Sequence, residues 1–229
     1  SHTNVCSAGA RAGYAFWSGI DRPSPDHGNA RFILLLSSHL ETGHYSNPHA
    51  QRIIEGKERG AKICVIDTRL SNTASKADYW LSPWPGSEAA ILLAMCSILL
   101  QEDLFDRQFV RQWVNWDEFL REEHPDKPQT FQSFVAILKS TYAQYTPEYA
   151  AKEAGVDPSV IVAVAHEVAK AGPAFSSHVW RNTAAGNLGG WQVARAPQFL
   201  VVLAGAVGTV GGTAPHTANK YIPRPPLMP

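Results

Sequence analysis

Two uninterrupted apolar runs, Arg31 to Ser37 (RFILLLS) and Ala61 to Ile66 (AKICVI), constrain this chain more than anything else in it. A strand with one wet face alternates apolar and polar residues. A strand that is apolar throughout has both faces covered, as in the parallel sheets of α/β proteins. Between the runs, Asn47-Pro48 supplies an N-cap and a proline for the first helical position, and Gly60 marks the exit. Strand, helix and strand within roughly thirty-five residues make a right-handed parallel crossover.

The alternation continues. Tyr79-Trp80-Leu81 is a third strand, stopped by Pro83 and Pro85, and Ser87 caps an apolar helix reaching about Gln101. A helix is expected over 103–120, with a surface loop over Arg121 to Gln132. Asp157, Pro158 and the Gly172-Pro173 exit bracket another helix, followed by a strand over Ala174 to Trp180. From Gly189 a last helix runs through Pro197, which should kink it, into the Gly205–Gly212 region. The expected fold is α/β and Rossmann-like, a parallel sheet with helices on both faces spanning 30–214. Residues 1–29 form a lead-in that is mostly loop with one short helix, and 215–229 an extended proline-rich tail.

Lys+Arg and Asp+Glu are 20 each among 229 residues, so charge gives no reason to expect nucleic acid or an anionic membrane as partner. The apolar runs Ala89 to Leu100 and Phe199 to Val207 are too short to span a bilayer and read as buried helices. The three cysteines, Cys6, Cys64 and Cys96, form no C-x-x-C pair, so this chain alone builds neither a four-cysteine zinc site nor an iron–sulfur cluster. The chain opens at Ser1 and reads as a mature product or a fragment, from which no compartment follows.

Ligands of parallel α/β sheets bind beyond the carboxyl ends of the strands. Those ends are Ser37-Ser38-His39, Asp67-Thr68-Arg69 and the Pro85-Gly86-Ser87 turn, all small, polar or charged. A carboxylate at Asp67 suits a ribose diol or a guanine edge, and Arg69 suits a phosphate; a cap and a surface ion pair are the plainer alternatives. Gly86-Ser87-Glu88 opens a helix whose amides and dipole suit an anion, and Glu88 reads from its position as a first-turn partner of the dipole. Cys6 stands among small residues (Thr3 to Gly9), where a bulky group can approach closely, and a thiolate is a soft metal ligand. Taken alone, the plainer reading is a loop cysteine without a role. No G-x-G-x-x-G follows the first strand, which disfavours an ordinary nicotinamide-binding domain.

The stretch from Gly60 to Val110 resembles the molybdopterin oxidoreductases of the dimethyl-sulfoxide-reductase family. Those enzymes carry a strand ending I-D-P-R, then T-A-x-x-A-D, then a P-G-S/T-D/E turn opening a helix, then L-Y-D-x-x-F-V; all four have counterparts here in order. Upstream, Arg31–Pro48 is similar to the family's strand and G-x-N segment. Downstream, Tyr145-Thr146-Pro147-Glu148, the Gly155–Gly172 helix and Gly205-x-x-Gly208-x-x-Gly211-Gly212 follow its pattern. The resemblance implies that Cys6 is the ligand of molybdenum or tungsten, held otherwise by two pyranopterin guanine dinucleotides. It implies that Ser37, Ser38, His39, Asp67, Thr68, Arg69, Gly86, Ser87 and Glu88 bind one dinucleotide. It further implies two-electron oxygen-atom or hydride-equivalent transfer on a small-molecule substrate. The implied partners are the remaining segments of the same subunit and an iron–sulfur electron-transfer subunit, with any four-iron four-sulfur cluster bound outside this chain. His39 departs from the family's asparagine. Ser7 and Thr213–His216 depart from formate dehydrogenases and nitrate reductases. A non-redox hydratase of the same family, or a cofactor-holding module without chemistry, remain alternatives; His44 is assigned no role, and Trp180-Arg181 after its strand fits equally a pair facing cofactor or substrate and a packed tryptophan with a surface arginine.

Overall fold

The computed structural model describes residues 8–19, 23–38, 48–179 and 190–214. Its centre is a four-stranded parallel sheet ordered β4-β3-β2-β5, with β2 Phe32–Leu36, β3 Lys62–Ile66, β4 Tyr79–Leu81 and β5 Phe175–Val179. A short antiparallel pair, β1 Ser24–Pro25 with β6 Thr213–Ala214, joins the beginning of the unit to its end.

The uninterrupted apolar strands are explained by burial on both sides. Phe32, Leu34, Leu36, Cys64 and Ile66 face one core, and the intervening Ile33, Leu35, Ile63 and Val65 face another. The first core is the larger. It is covered by α3 (Glu88–Gln101), α8 (Pro158–Ala171) and α9 (Gly190–Leu203), with Ile91, Leu92, Met95, Ile161, Val164 and Leu200 fully enclosed. The second lies under α2 (His49–Glu58), which contributes Ile53. Near α3's middle almost every side chain is buried, which accounts for a helix apolar all round. The ordinary rule of about 25 cal/mol per Å² makes such residues the largest stabilising term in the fold.

Between β4 and β5 the chain also forms α4 (Arg107–Trp113), α5 (Trp116–Glu123), α6 (Phe131–Tyr142) and α7 (Pro147–Ala154). The helix expected over 103–120 is therefore two helices, broken at Val114, whose extended backbone ends α4 before Asn115 starts α5. The loop expected from Arg121 begins only after Glu123, and Phe131 already opens α6, where Thr130 accepts a cap bond from Ser133 N. Pro48 occupies the N-cap position of α2, so the helix starts one residue later than expected; Asn47 lies outside the described residues. Gly60 follows the helix with φ 95°, as its place beyond the exit requires. The α8 signals all hold: Asp157 accepts from Ser159 N, and Gly172 is the C-cap.

In the lead-in, α1 (Ala8–Ser18) lies along α9, close enough that a Cβ on Gly13 would collide with Ala194 and the Trp191 carbonyl. Cys64 and Cys96 are buried free thiols, and burial raises both well above the ordinary thiol range. Among the described residues no helix is long and apolar enough to cross a membrane.

Candidate functional site at the carboxyl edge of the sheet

Strand order alone brings Ser37, Asp67 and Ser82 side by side. Ser37 N donates to Ile66 O (2.9 Å) and Asp67 N donates to Leu81 O (3.1 Å), so the ladder continues one residue beyond the strands. Ser37 has φ 48°, a left-handed conformation that non-glycine residues seldom take. The next residue, Ser38, is fully buried and donates from Oγ to the Leu36 carbonyl at 2.9 Å. Ser38 thus supports the floor, and Ser37 is the partly exposed residue of the pair.

The Asp67 loop is held from below. Asp67 Oδ1 accepts from Arg69 N (3.1 Å), an Asx turn. Trp80 Nε1 donates to the Asp67 carbonyl (2.9 Å) and Ser82 Oγ to the Thr68 carbonyl (3.1 Å). The backbone of this loop is therefore fixed by side chains of β4 and of the residue that follows it. Thr68 and Arg69 are exposed and Asp67 is half-buried. A carboxylate on a pinned loop, next to an exposed guanidinium, is a donor–acceptor set suited to a sugar diol or purine edge and an adjoining phosphate.

The third piece is the start of α3. Gly86 has φ 93°, which its lack of a Cβ permits. Ser87 sits at the N-cap position without making the side-chain cap bond; its Oγ instead donates to the Trp84 carbonyl (2.6 Å), where Ser87 N also donates (3.1 Å). Glu88 is 6% exposed and its Oε2 accepts from Gly86 N (3.0 Å). The Glu88 carboxylate is thus engaged in closing the turn, which favours the helix-start role over a guanine contact. With Gly86 N and Ser87 N satisfied within the chain, an anion at this end would meet the first-turn amides of Glu88 and Ala89.

Cys6, His39, His44, Trp180 and Arg181 lie outside the described residues. No group of His, Cys, Asp and Glu among the described residues is placed to hold a metal ion.

One cluster was not singled out from the sequence. His27, His49 and His178 come from three separate elements and gather on the α2 side of the sheet, with ring centroids 5.6 Å (His27–His49), 4.7 Å (His49–His178) and 6.4 Å (His27–His178) apart. His27 Nδ1 and Ser176 Oγ share a hydrogen bond at 2.8 Å. Burial, with a smaller contribution from His49, lowers His27 to about 3. No local signal marks this cluster, because its members meet only through the pairing of β2 with β5.

A parallel sheet covered on both faces, with polar loops at its carboxyl edge, places the chain in the Rossmann-like class of α/β folds. No family model matches the chain. It is 32% identical over 174 residues to the thiosulfate reductase molybdopterin-containing subunit PhsA of Salmonella typhimurium, a match covering 76% of this chain and 20% of that protein. It is 29% identical over 213 residues to the dimethyl sulfoxide reductase DmsA of Haemophilus influenzae, covering 91% of this chain and 26% of the relative. Among solved structures, acetylene hydratase from Pelobacter acetylenicus superposes with a TM-score of 0.73 at 21% identity, over 93% of this chain and 26% of that one. The chain belongs to the molybdopterin oxidoreductase family that includes the dimethyl sulfoxide reductases. It spans only about a fifth to a quarter of the length of these relatives.

Proposed function

We propose that this chain is the part of a molybdenum or tungsten oxidoreductase catalytic subunit that binds one pyranopterin guanine dinucleotide and contributes the metal's protein ligand. The observation that carries the reading is the row of Ser37, the pinned Asp67–Arg69 loop and the α3 start along one edge of a parallel sheet. Asp67 would accept hydrogen bonds from the guanosine end, Arg69 and Thr68 would face a phosphate, and the amides of Glu88 and Ala89 would face a second anionic oxygen. Ser37 and Ser38 shape the floor, and His39, the next residue in sequence, belongs to the same proposed binding set. Cys6 is the proposed metal ligand. The bound group would supply two-electron chemistry, passing an oxygen atom or a hydride equivalent to or from a small-molecule substrate. The domain division into a 1–29 lead-in, a 30–214 dinucleotide unit and a 215–229 tail belongs to the same proposal. So do the remaining segments of the subunit, and an iron–sulfur electron-transfer subunit, as partners.

The test uses the full-length subunit containing this chain. Asp67→Ala should reduce the guanine dinucleotide recovered per protein molecule after denaturation. Cys6→Ala should lose the sulfur scatterer that X-ray absorption assigns to a protein thiolate. Undiminished dinucleotide retention in Asp67→Ala would overturn the binding role, and an unchanged metal–sulfur shell in Cys6→Ala would overturn the ligand role.

A further inference from the structure

We propose that the carboxyl end of α7, through Gly155, is a positioning element that holds the Trp84–Ser87 turn in the shape needed for dinucleotide binding; the proposal rests on the function proposed above. Trp84 is gripped at two points by α7. Its amide donates to the Ala154 carbonyl at 3.0 Å, the position where a helix end has carbonyls to satisfy. Its indole lies directly on Gly155: a Cβ built there would overlap Nε1 and stand 3.0 Å from Cε2 and 3.1 Å from Cδ1. Gly155 also has φ 69°, as the left-handed C-cap of α7. Position 155 thus excludes other residues for two separate reasons, backbone conformation and the space occupied by the ring.

The grip passes directly to the site. The Trp84 carbonyl receives both Ser87 N and Ser87 Oγ, and Gly86 N closes onto Glu88 Oε2. Every polar backbone group named from Trp84 to Ser87 is therefore tied either to α7 or to the start of α3. Ordinary core packing does not account for this contact, because Trp84 is 67% exposed and buries little surface for so close an approach. Behind it, Ala150 and Ala154 of α7 are fully buried in the same core as α3, so α7 is a firm support. The consequence is that a helix further along the chain sets the direction of the Glu88 and Ala89 amides.

Two substitutions in the cofactor-loaded full-length subunit separate the ring contact from backbone strain. Asn tolerates a left-handed backbone but brings a Cβ, so Gly155→Asn tests mainly the contact with Trp84. Gly155→Asn should release the dinucleotide roughly tenfold faster, the size expected when one well-placed hydrogen bond is lost. Amide exchange in the first turn of α3 should rise, while the global melting temperature changes little. Trp84→Ala should also speed release, and Gly155→Asn added to Trp84→Ala should have no further effect, because the colliding ring is gone. Wild-type retention in Gly155→Asn, or an equal effect of Gly155→Asn with and without Trp84, would overturn the proposal. Should Gly155→Asn fail to fold, Trp84→Ala decides: unchanged retention there refutes the clamp. Asp67→Ala measured alongside separates the two layers. If it retains the dinucleotide, the binding site itself is wrong; if it alone loses the dinucleotide, only the Gly155 role fails.

Discussion

Acidification should act on this protein through His27. The ring is 1% exposed, its Nδ1 is hydrogen-bonded to Ser176 Oγ, and its Nε2 has no hydrogen-bond partner among the described residues. Burial first, and the nearby His49 second, lower it from the ordinary 6.5 to about 3, so the folded protein keeps it neutral. The unfolded chain takes up a proton at about 6.5, so below that pH it binds more protons than the folded state and stability falls. One such group removes roughly 1.4 kcal/mol per pH unit, or about 2 kcal/mol between pH 6.5 and pH 5, continuing toward pH 3; above pH 6.5 it contributes no slope. His27→Gln keeps a hydrogen-bonding group for Ser176 and cannot titrate. The variant should be less stable than wild type at pH 8, yet lose less stability on going to pH 5, by an amount approaching that figure. His49 and His178 remain in both proteins, and relief of the His27–His49 interaction alters the slope only as a second-order correction. Urea unfolding followed by tryptophan fluorescence at pH 8, 6.5 and 5 measures the difference. Parallel profiles for the two proteins, within about 0.5 kcal/mol, would refute the assignment of a buried neutral imidazole.

Gly56→Ala should destabilise by about 1–3 kcal/mol although alanine is the better helix former, because its Cβ would strike the His27 carbonyl and stand 3.2 Å from Ile33 Cδ1; urea midpoints check this. Ser37→Gly should stabilise the cofactor-free protein by about 1 kcal/mol by relieving the left-handed backbone at φ 48°, and thermal melting that shows a loss instead would contradict the strain.

The two-sided core was legible in the apolar runs of β2 and β3, since an uninterrupted run of strand length reports burial of both faces without reference to the rest of the fold. Helix ends with strong local chemistry were equally plain: Asp157 and Gly172 lie where their neighbours in sequence put them. Other ends were not: the helix expected over 103–120 breaks at Val114, and α2 starts one residue late. The Thr146-Pro147 start of α7 carries the same chemistry, with Thr146 accepting from Tyr149 N, but only the fold shows what that helix is for. The motifs along Gly60 to Val110 pointed to Asp67, Arg69 and the α3 start, yet not to the carbonyl contacts from Trp80 and Ser82 that fix the loop. Nor does sequence place Glu88 inward onto Gly86 N.

Signals carried by neighbours within a turn or two of chain thus determined the strands, the limits of α3 and α8, and the residue types at the sheet's edge. Tertiary structure decided which distant pieces meet: β5 beside β2, three histidines from separate elements, and Gly155 under Trp84. The reason is physical. Local propensities depend on a few adjacent dihedrals and side chains, whereas those encounters depend on how whole faces pack, a property that no short window of sequence contains.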